Sequence, residues 1–157
     1  MELKDSVTKE NLLRAFAGES QARNRYTFSA SLARKKGLHV IEAVFLYTAD
    51  QEKEHAEIFY DHLKKAGCEN VTITGANYPV DLAEDPAEML ELARNHEMDE
   101  FGDVYPAFAD KAEEEGFADV ARHFRQIAAI EKVHADRIQR FAKLLREGKL
   151  FVRDVET

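Results

Sequence analysis

Glu52-Lys53-Glu54-His55 and Glu131-Lys132-Val133-His134 decide the reading of this chain. Each segment sets a glutamate and a histidine three residues apart. On an α-helix, positions i and i+3 share a face, with side-chain origins roughly 5–6 Å apart. A carboxylate and an imidazole placed this way can reach one metal ion or two adjacent ones. A single Glu-x-x-His in a chain that is 33% charged is ordinarily a solvated surface pair. Two copies on alternate helices, 79 residues apart, carry more weight. Four-helix bundles build dinuclear sites from two such pairs and further acids on the remaining helices.

Those further acids are present. Glu19 follows Ala15-Phe16-Ala17-Gly18, an apolar stretch in the middle of the first helical segment, and Gly18 permits close approach of a neighbouring backbone or ligand. Glu97 and Glu100 form another i, i+3 pair on the third segment. The candidate metal ligands are therefore Glu19, Glu52, His55, Glu97, Glu100, Glu131 and His134. Oxygen and nitrogen donors without thiolate suit iron, with manganese or zinc as substitutes. Several acids in one core are too costly to keep charged unless cations offset them. Tyr26 and Tyr105 lie two turns from the acids of their own helices. They either pack the core or hydrogen-bond a ligand carboxylate. Four histidines take blander readings. His62 has Phe59 at i−3 and reads as surface or outer layer. His39 and His123 follow helix starts and read as exposed, and His96 adjoins Glu97 but points about 100° away from it.

Apolar spacing predicts four helices. The first runs from about Val7 to Lys36 and ends at Gly37. The second runs from Leu38 to Ala66, with Ile41, Val44, Phe45, Tyr47, Thr48, Phe59 and Leu63 facing inward, and Gly67 closes it. Asp85, Pro86 and Glu88 form the start signal of a third helix reaching Glu115, inside which Pro106 predicts a kink or a locally wide turn. A fourth spans Phe117 to Glu147, stopped by Gly148. Residues 67–85 lose the helical spacing and carry Gly75, Asn77 and Pro79. Helix connections in bundles usually take 2–8 residues, so this one reads as a crossover along the bundle. The bundle occupies 1–148, with a short tail at 149–157.

The halves echo each other. Tyr26, Gly37, Phe45, Glu52, Lys53, His55 and Ala56 recur 79 residues later as Tyr105, Gly116, Phe124, Glu131, Lys132, His134 and Ala135. The pattern describes two helical hairpins related by a pseudo-two-fold axis.

At 157 residues the chain is about one domain, with 45% hydrophobic residues, 3 Pro and no Trp. Its formal net charge of −8 argues against nucleic acid, since the longest basic run, Arg34-Lys35-Lys36, suits a helix C-terminus. One cysteine, Cys68, excludes an internal disulfide and a Cys-x-x-Cys metal site. No apolar run approaches the ~18 residues of a membrane span, and no signal peptide is visible, so a cytoplasmic protein is expected.

The segments Ala15-Phe16-Ala17-Gly18-Glu19-Ser20-Gln21-Ala22-Arg23-Asn24-Arg25-Tyr26 and Thr48-Ala49-Asp50-Gln51-Glu52-Lys53-Glu54-His55-Ala56 resemble the first- and second-helix motifs of the rubrerythrins. Glu97, Glu100 and Tyr105-Pro106 match that family's third helix, and Glu131 with His134 its fourth. The resemblance covers nearly the whole chain. It implies an all-α, ferritin-like bundle holding two non-haem irons. It implies an oxidoreductase of oxidative stress defence that reduces hydrogen peroxide to water. Its electrons would come from NADH through donor proteins, ending at an external rubredoxin. By the same resemblance Glu52 and Glu131 bridge the irons, Glu19 and Glu97 are terminal ligands, and His134 binds one iron. Glu100 and His55 then alternate at the other as the redox state changes, and a homodimer, helix-swapped in one version, is expected. Most members continue into a rubredoxin domain with four cysteines, which this sequence lacks. The alternative from another class is a ferroxidase or iron-handling protein, which would need a cage.

Overall fold

Ser6 opens the first helix by accepting a hydrogen bond from the Lys9 amide at 3.1 Å. In the computed structural model, which describes residues 1–151, a 3-10 turn at Leu3–Asp5 leads into α1 (Val7–Lys35) and α2 (His39–Lys65). The crossover brings the chain to α3 (Pro86–Asp99), then α4 (Tyr105–Glu114) and α5 (Ala118–Arg146). No strand occurs among the described residues, and none of their helices is long and apolar enough to cross a membrane. Most of the tail expected at 149–157 lies outside the described residues. Asp85 caps α3 by accepting from the Glu88 amide at 3.0 Å, and Pro86 takes the first helical position.

The expected third helix is α3 and α4 joined by one turn of π-helix, Glu100–Val104. This is the wide turn that Pro106 calls for, and it falls just before the proline. Proline brings no N–H and its ring crowds the preceding turn of an α-helix; widening that turn relieves both.

The π-turn also accounts for a change in the internal echo. Tyr26, Ala30, Ala33 and Gly37 find Tyr105, Ala109, Ala112 and Gly116 at an offset of 79. Upstream, Leu12, Ala15 and Glu19 find Leu90, Ala93 and Glu97 at 78. The one extra residue lies between Glu97 and Tyr105, where the helix widens. All of these side chains except the glycines are buried in both halves. The helix ends match as well. Gly37 and Gly116 have φ of 75° and 93°, the left-handed region that glycine adopts freely. The amides that follow them, Leu38 and Phe117, bond back to Ala33 and Ala112 at 3.0 and 2.8 Å.

Two apolar clusters fill the interior. One joins Tyr26, Ile41, Phe45, Leu90 and Ile138; the other joins Leu12, Phe59, Tyr105, Phe124 and Ile127. Between them lies a buried polar layer of Glu19, Glu52, His55, Glu97, Glu131 and His134. Tyr47, expected to face inward, is 55% exposed, because α2 turns that side to solvent while Val44 and Thr48 face the core.

Candidate metal centre

Four helical segments converge on the polar layer. Glu19 comes from α1, Glu52 and His55 from α2, Glu97 from α3, and Glu131 and His134 from α5. They form two overlapping groups. Glu19, Glu52, His55 and Glu131 each offer an atom to one group; Glu52, Glu97, Glu131 and His134 offer atoms to the other. Within each group these atoms lie within 4.8 Å of one another. Glu52 and Glu131 belong to both.

The two groups are near mirror images in their distances. His55 Nδ1 is 2.8 Å from Glu131 Oε1 and 3.9 Å from oxygens of Glu19 and Glu52. His134 Nδ1 is 2.9 Å from Glu52 Oε1, 3.2 Å from Glu131 Oε2 and 3.5 Å from Glu97 Oε1. The shortest approach of each histidine is thus to the glutamate of the opposite hairpin. The two rings lie 5.8 Å apart and nearly parallel, at 18°.

Two tyrosines complete the symmetry. Tyr26 donates to Glu97 Oε1 at 2.9 Å, and Tyr105 donates to Glu19 Oε1 at 2.5 Å. Each hydroxyl therefore crosses from one hairpin to the outer glutamate of the other. Burial, with nearby carboxylates adding to it, raises both phenols well above their ordinary value, so both stay protonated donors. Of the two roles open to these tyrosines, the structure shows both in each residue.

The carboxylates are under electrostatic stress. Burial pushes Glu52 well above the usual carboxylate range, and neighbouring Glu131 adds to the rise. Burial acts on Glu131 in the same direction, but contacts from His134 and His55 outweigh it and leave its carboxyl lowered. For His134, burial pulls downward while Glu131 and Glu52 pull harder upward, to about 9. Both Glu52 oxygens, Glu19 Oε2, Glu97 Oε2, Glu131 Oε1 and His55 Nδ1 are buried without a properly oriented hydrogen-bond partner. His55 Nδ1, for one, lies 2.8 Å from Glu131 Oε1 without the geometry of a hydrogen bond. Cations coordinated there would satisfy all of these atoms at once, so the donor set fits a pair of metal ions.

Glu100, the seventh expected ligand, is in neither group. It begins the π-turn and lines a cavity of about 340 Å³ with Arg14, Arg25, Tyr78 and Tyr105. Burial raises its carboxyl to about 7, against the pull of Arg25. The crossover closes over this cavity. Tyr78 donates to the Arg14 carbonyl at 2.9 Å, and its ring lies beside Gly18, where a Cβ would meet it at an ordinary van der Waals distance of 3.5 Å. A Cβ at Gly18 would therefore fit, so no close backbone or ligand approach of the kind expected there depends on the glycine.

The remaining histidines are accounted for. His39 is exposed, as expected. His123, expected to be exposed, is half-buried and pairs with His62 at 2.6 Å, because α2 and α5 pack side by side there. His96 bonds Asp81 of the crossover at 2.9 Å and takes no part in the centre. Two contributors escaped sequence reasoning. Gln51, next to Glu52, faces His134 from across the helix interface at 2.5 Å. Glu115 ties the end of α4 to the start of α1 by accepting from the Val7 and Thr8 amides at 3.0 and 2.7 Å.

An all-helical bundle with buried glutamates shared between two Glu/His groups, one histidine in each, has the ferritin-like fold and a donor set suited to a pair of metal ions. Known proteins agree. The rubrerythrin family model matches residues 10–145. The rubrerythrin of Clostridium perfringens is 47% identical over 97% of this chain and 78% of its own length. That of Porphyromonas gingivalis is 46% identical over 98% and 75%. A solved structure of nigerythrin in a mixed-valence state superposes with a TM-score of 0.77 at 31% identity, over 88% of this chain and 67% of that one. The chain belongs to the rubrerythrin family.

Proposed function

We propose that this protein is a non-haem di-iron peroxidase, reducing hydrogen peroxide to water with electrons from an external rubredoxin-type donor. The observation that carries the reading is the pair of overlapping groups that share Glu52 and Glu131. Each peroxide reduced to two waters consumes two electrons and two protons. A bound iron pair supplies the two electrons and polarises the peroxide oxygens.

The protein's own part is to hold and to exclude. Glu52 and Glu131, members of both groups, would serve both metal positions; Glu19 and Glu97 would each serve one, steadied by a tyrosine hydroxyl. His55 and His134 supply one neutral donor to each position. The apolar clusters above and below keep bulk water from the layer. Glu100 stands beside the centre, in a cavity large enough for a molecule the size of peroxide. With iron bound it would be the reserve carboxylate, available to take the place of His55 when the charge of the centre changes. The protein works as a homodimer in the cytoplasm, fed from NADH through donor proteins.

The test is an anaerobic titration of the iron(II)-loaded protein with hydrogen peroxide, followed by absorbance, with O2 in a parallel run. Rapid oxidation at one peroxide per two irons, and a much slower reaction with O2, supports a peroxidase. Preferential reaction with O2, together with a multi-subunit shell by light scattering, would point to iron oxidation and storage instead.

A further inference from the structure

The six buried ligands obey the pseudo-two-fold; the residues behind them do not. His134 presents Nδ1 to the carboxylates, and its other nitrogen, Nε2, lies 2.5 Å from Gln51 Oε1. The same oxygen accepts from Arg137 Nη2 at 3.2 Å, and Gln51 Nε2 reaches the Tyr47 hydroxyl at 3.4 Å. Arg137 in turn lies 4.8 Å over the Tyr47 ring and donates to Thr48 Oγ1 at 3.5 Å. A guanidinium only donates, so the amide atom facing Arg137 is the oxygen, which fixes the flip of the Gln51 amide. An oxygen facing His134 Nε2 requires N–H there. The Nδ1 lone pair is thereby committed to the metal position.

Nothing of the kind is encoded behind His55. The residues matching Gln51 and Arg137 are Ile130 and Ile58, and those matching Tyr47 and Thr48 are Gln126 and Ile127. Neither isoleucine has an acceptor to offer an imidazole.

We propose that Gln51, oriented by Arg137, is a positioning residue that makes the two metal positions unequal, His134 serving the tighter one and His55 the weaker. This rests on the two-metal reading of the centre. A ligand histidine whose far nitrogen is held keeps its ring orientation in the metal-free protein, gives up its proton from the nitrogen facing the metal position, and is the more basic donor. Loss of such a partner typically costs 10–100-fold in metal affinity.

The probe is Co2+, titrated anaerobically into metal-free protein and followed by its visible d–d absorbance, with zinc calorimetry alongside. The expected wild-type result is two steps of unequal affinity, the tighter removed by His134→Ala and the weaker by His55→Ala. Gln51→Leu should weaken the tighter step by about 10–100-fold and leave the weaker unchanged. Gln51→Glu, which keeps the acceptor oxygen, should restore it; a merely structural role would not be rescued in this way. Ile130→Gln, which places an amide behind His55, should tighten the weaker step. Thermal melts of each metal-free variant check folding. Two Co2+ bound with both steps unmoved in Gln51→Leu and in Ile130→Gln would overturn the role of Gln51 while leaving the dinuclear centre standing. Wild-type protein that binds fewer than two Co2+ would overturn the centre itself, and this inference with it.

Discussion

Glu97 and Tyr105 lie eight residues apart, yet they stand where Glu19 and Tyr26, seven residues apart, stand in the other hairpin. The π-turn absorbs the difference. At the upstream offset of 78, the residue matching Glu100 is Ala22, an ordinary core position. The widened turn is therefore what gives the seventh acid a place of its own.

Deleting Gly102 should return this stretch to a regular α-helix, since a π-turn behaves as a one-residue insertion. Glu97 and Tyr105 would keep their places, and the shortened protein should still bind two metal ions and melt no lower than the parent. Glu100 would lose its berth in the cavity, and peroxide turnover should fall at least tenfold. Metal analysis, calorimetry and stopped-flow rates check the three parts; undiminished turnover would show the wide turn to be an accommodation of Pro106 alone.

Replacing Glu100 by Ala should leave metal content near two per chain, because neither group uses that residue, while slowing peroxide turnover. Replacing Glu52 or Glu131 by Ala should remove most of the bound metal, since each serves both groups. Equal metal loss in all three variants would place Glu100 among the permanent ligands.

Tyr26→Phe and Tyr105→Phe each leave a buried carboxylate oxygen without its donor. The expected cost to the metal-free protein is about 1–3 kcal/mol, read from urea unfolding. Metal affinity should drop as well, because Glu97 or Glu19 loses the contact that orients it. The ring packing against Phe45 or against Phe59 and Phe124 remains, so both variants should fold.

Glu115 makes stability depend on pH in a direction that can be worked out. Burial acts to raise its carboxyl, but hydrogen bonds from the Thr8 hydroxyl and from the Val7 and Thr8 amides outweigh it, so the folded value is lowered. A carboxylate lowered on folding contributes fully above its ordinary value of 4.5. That contribution is lost as pH falls through the lower folded value. Glu115→Ala should cost about 1 kcal/mol at pH 7, the worth of a helix cap. The gap between variant and parent should close in acid. A gap that stays constant as pH falls well below 4.5 would contradict the assignment.

Much of this was legible in the chain because helical spacing is short-range. Glu52 with His55 and Glu131 with His134 declare a shared face without any knowledge of packing, and Gly37, Gly67, Gly116 and Gly148 mark helix ends by the backbone they permit. What escaped depends on which helix lies against which. Gln51 meets His134 across 83 positions of sequence and Glu115 meets Thr8 across 107, and no local pattern announces either. The side of α2 that carries Tyr47 was misread for the same reason, as was the burial of His123. The extra residue between Glu97 and Tyr105 was visible in principle: the echo changes offset from 78 to 79 there.

The division of ligands between hairpins has a consequence for biosynthesis. The group around His55 draws Glu131 from α5, and the group around His134 draws Glu52 from α2. No stretch of nascent chain shorter than its first 131 residues contains either set, and the second is complete only at His134. On the two-metal reading, neither position could be completed until α5 had emerged and docked, so a half-made chain would lack the full donor set for redox-active iron.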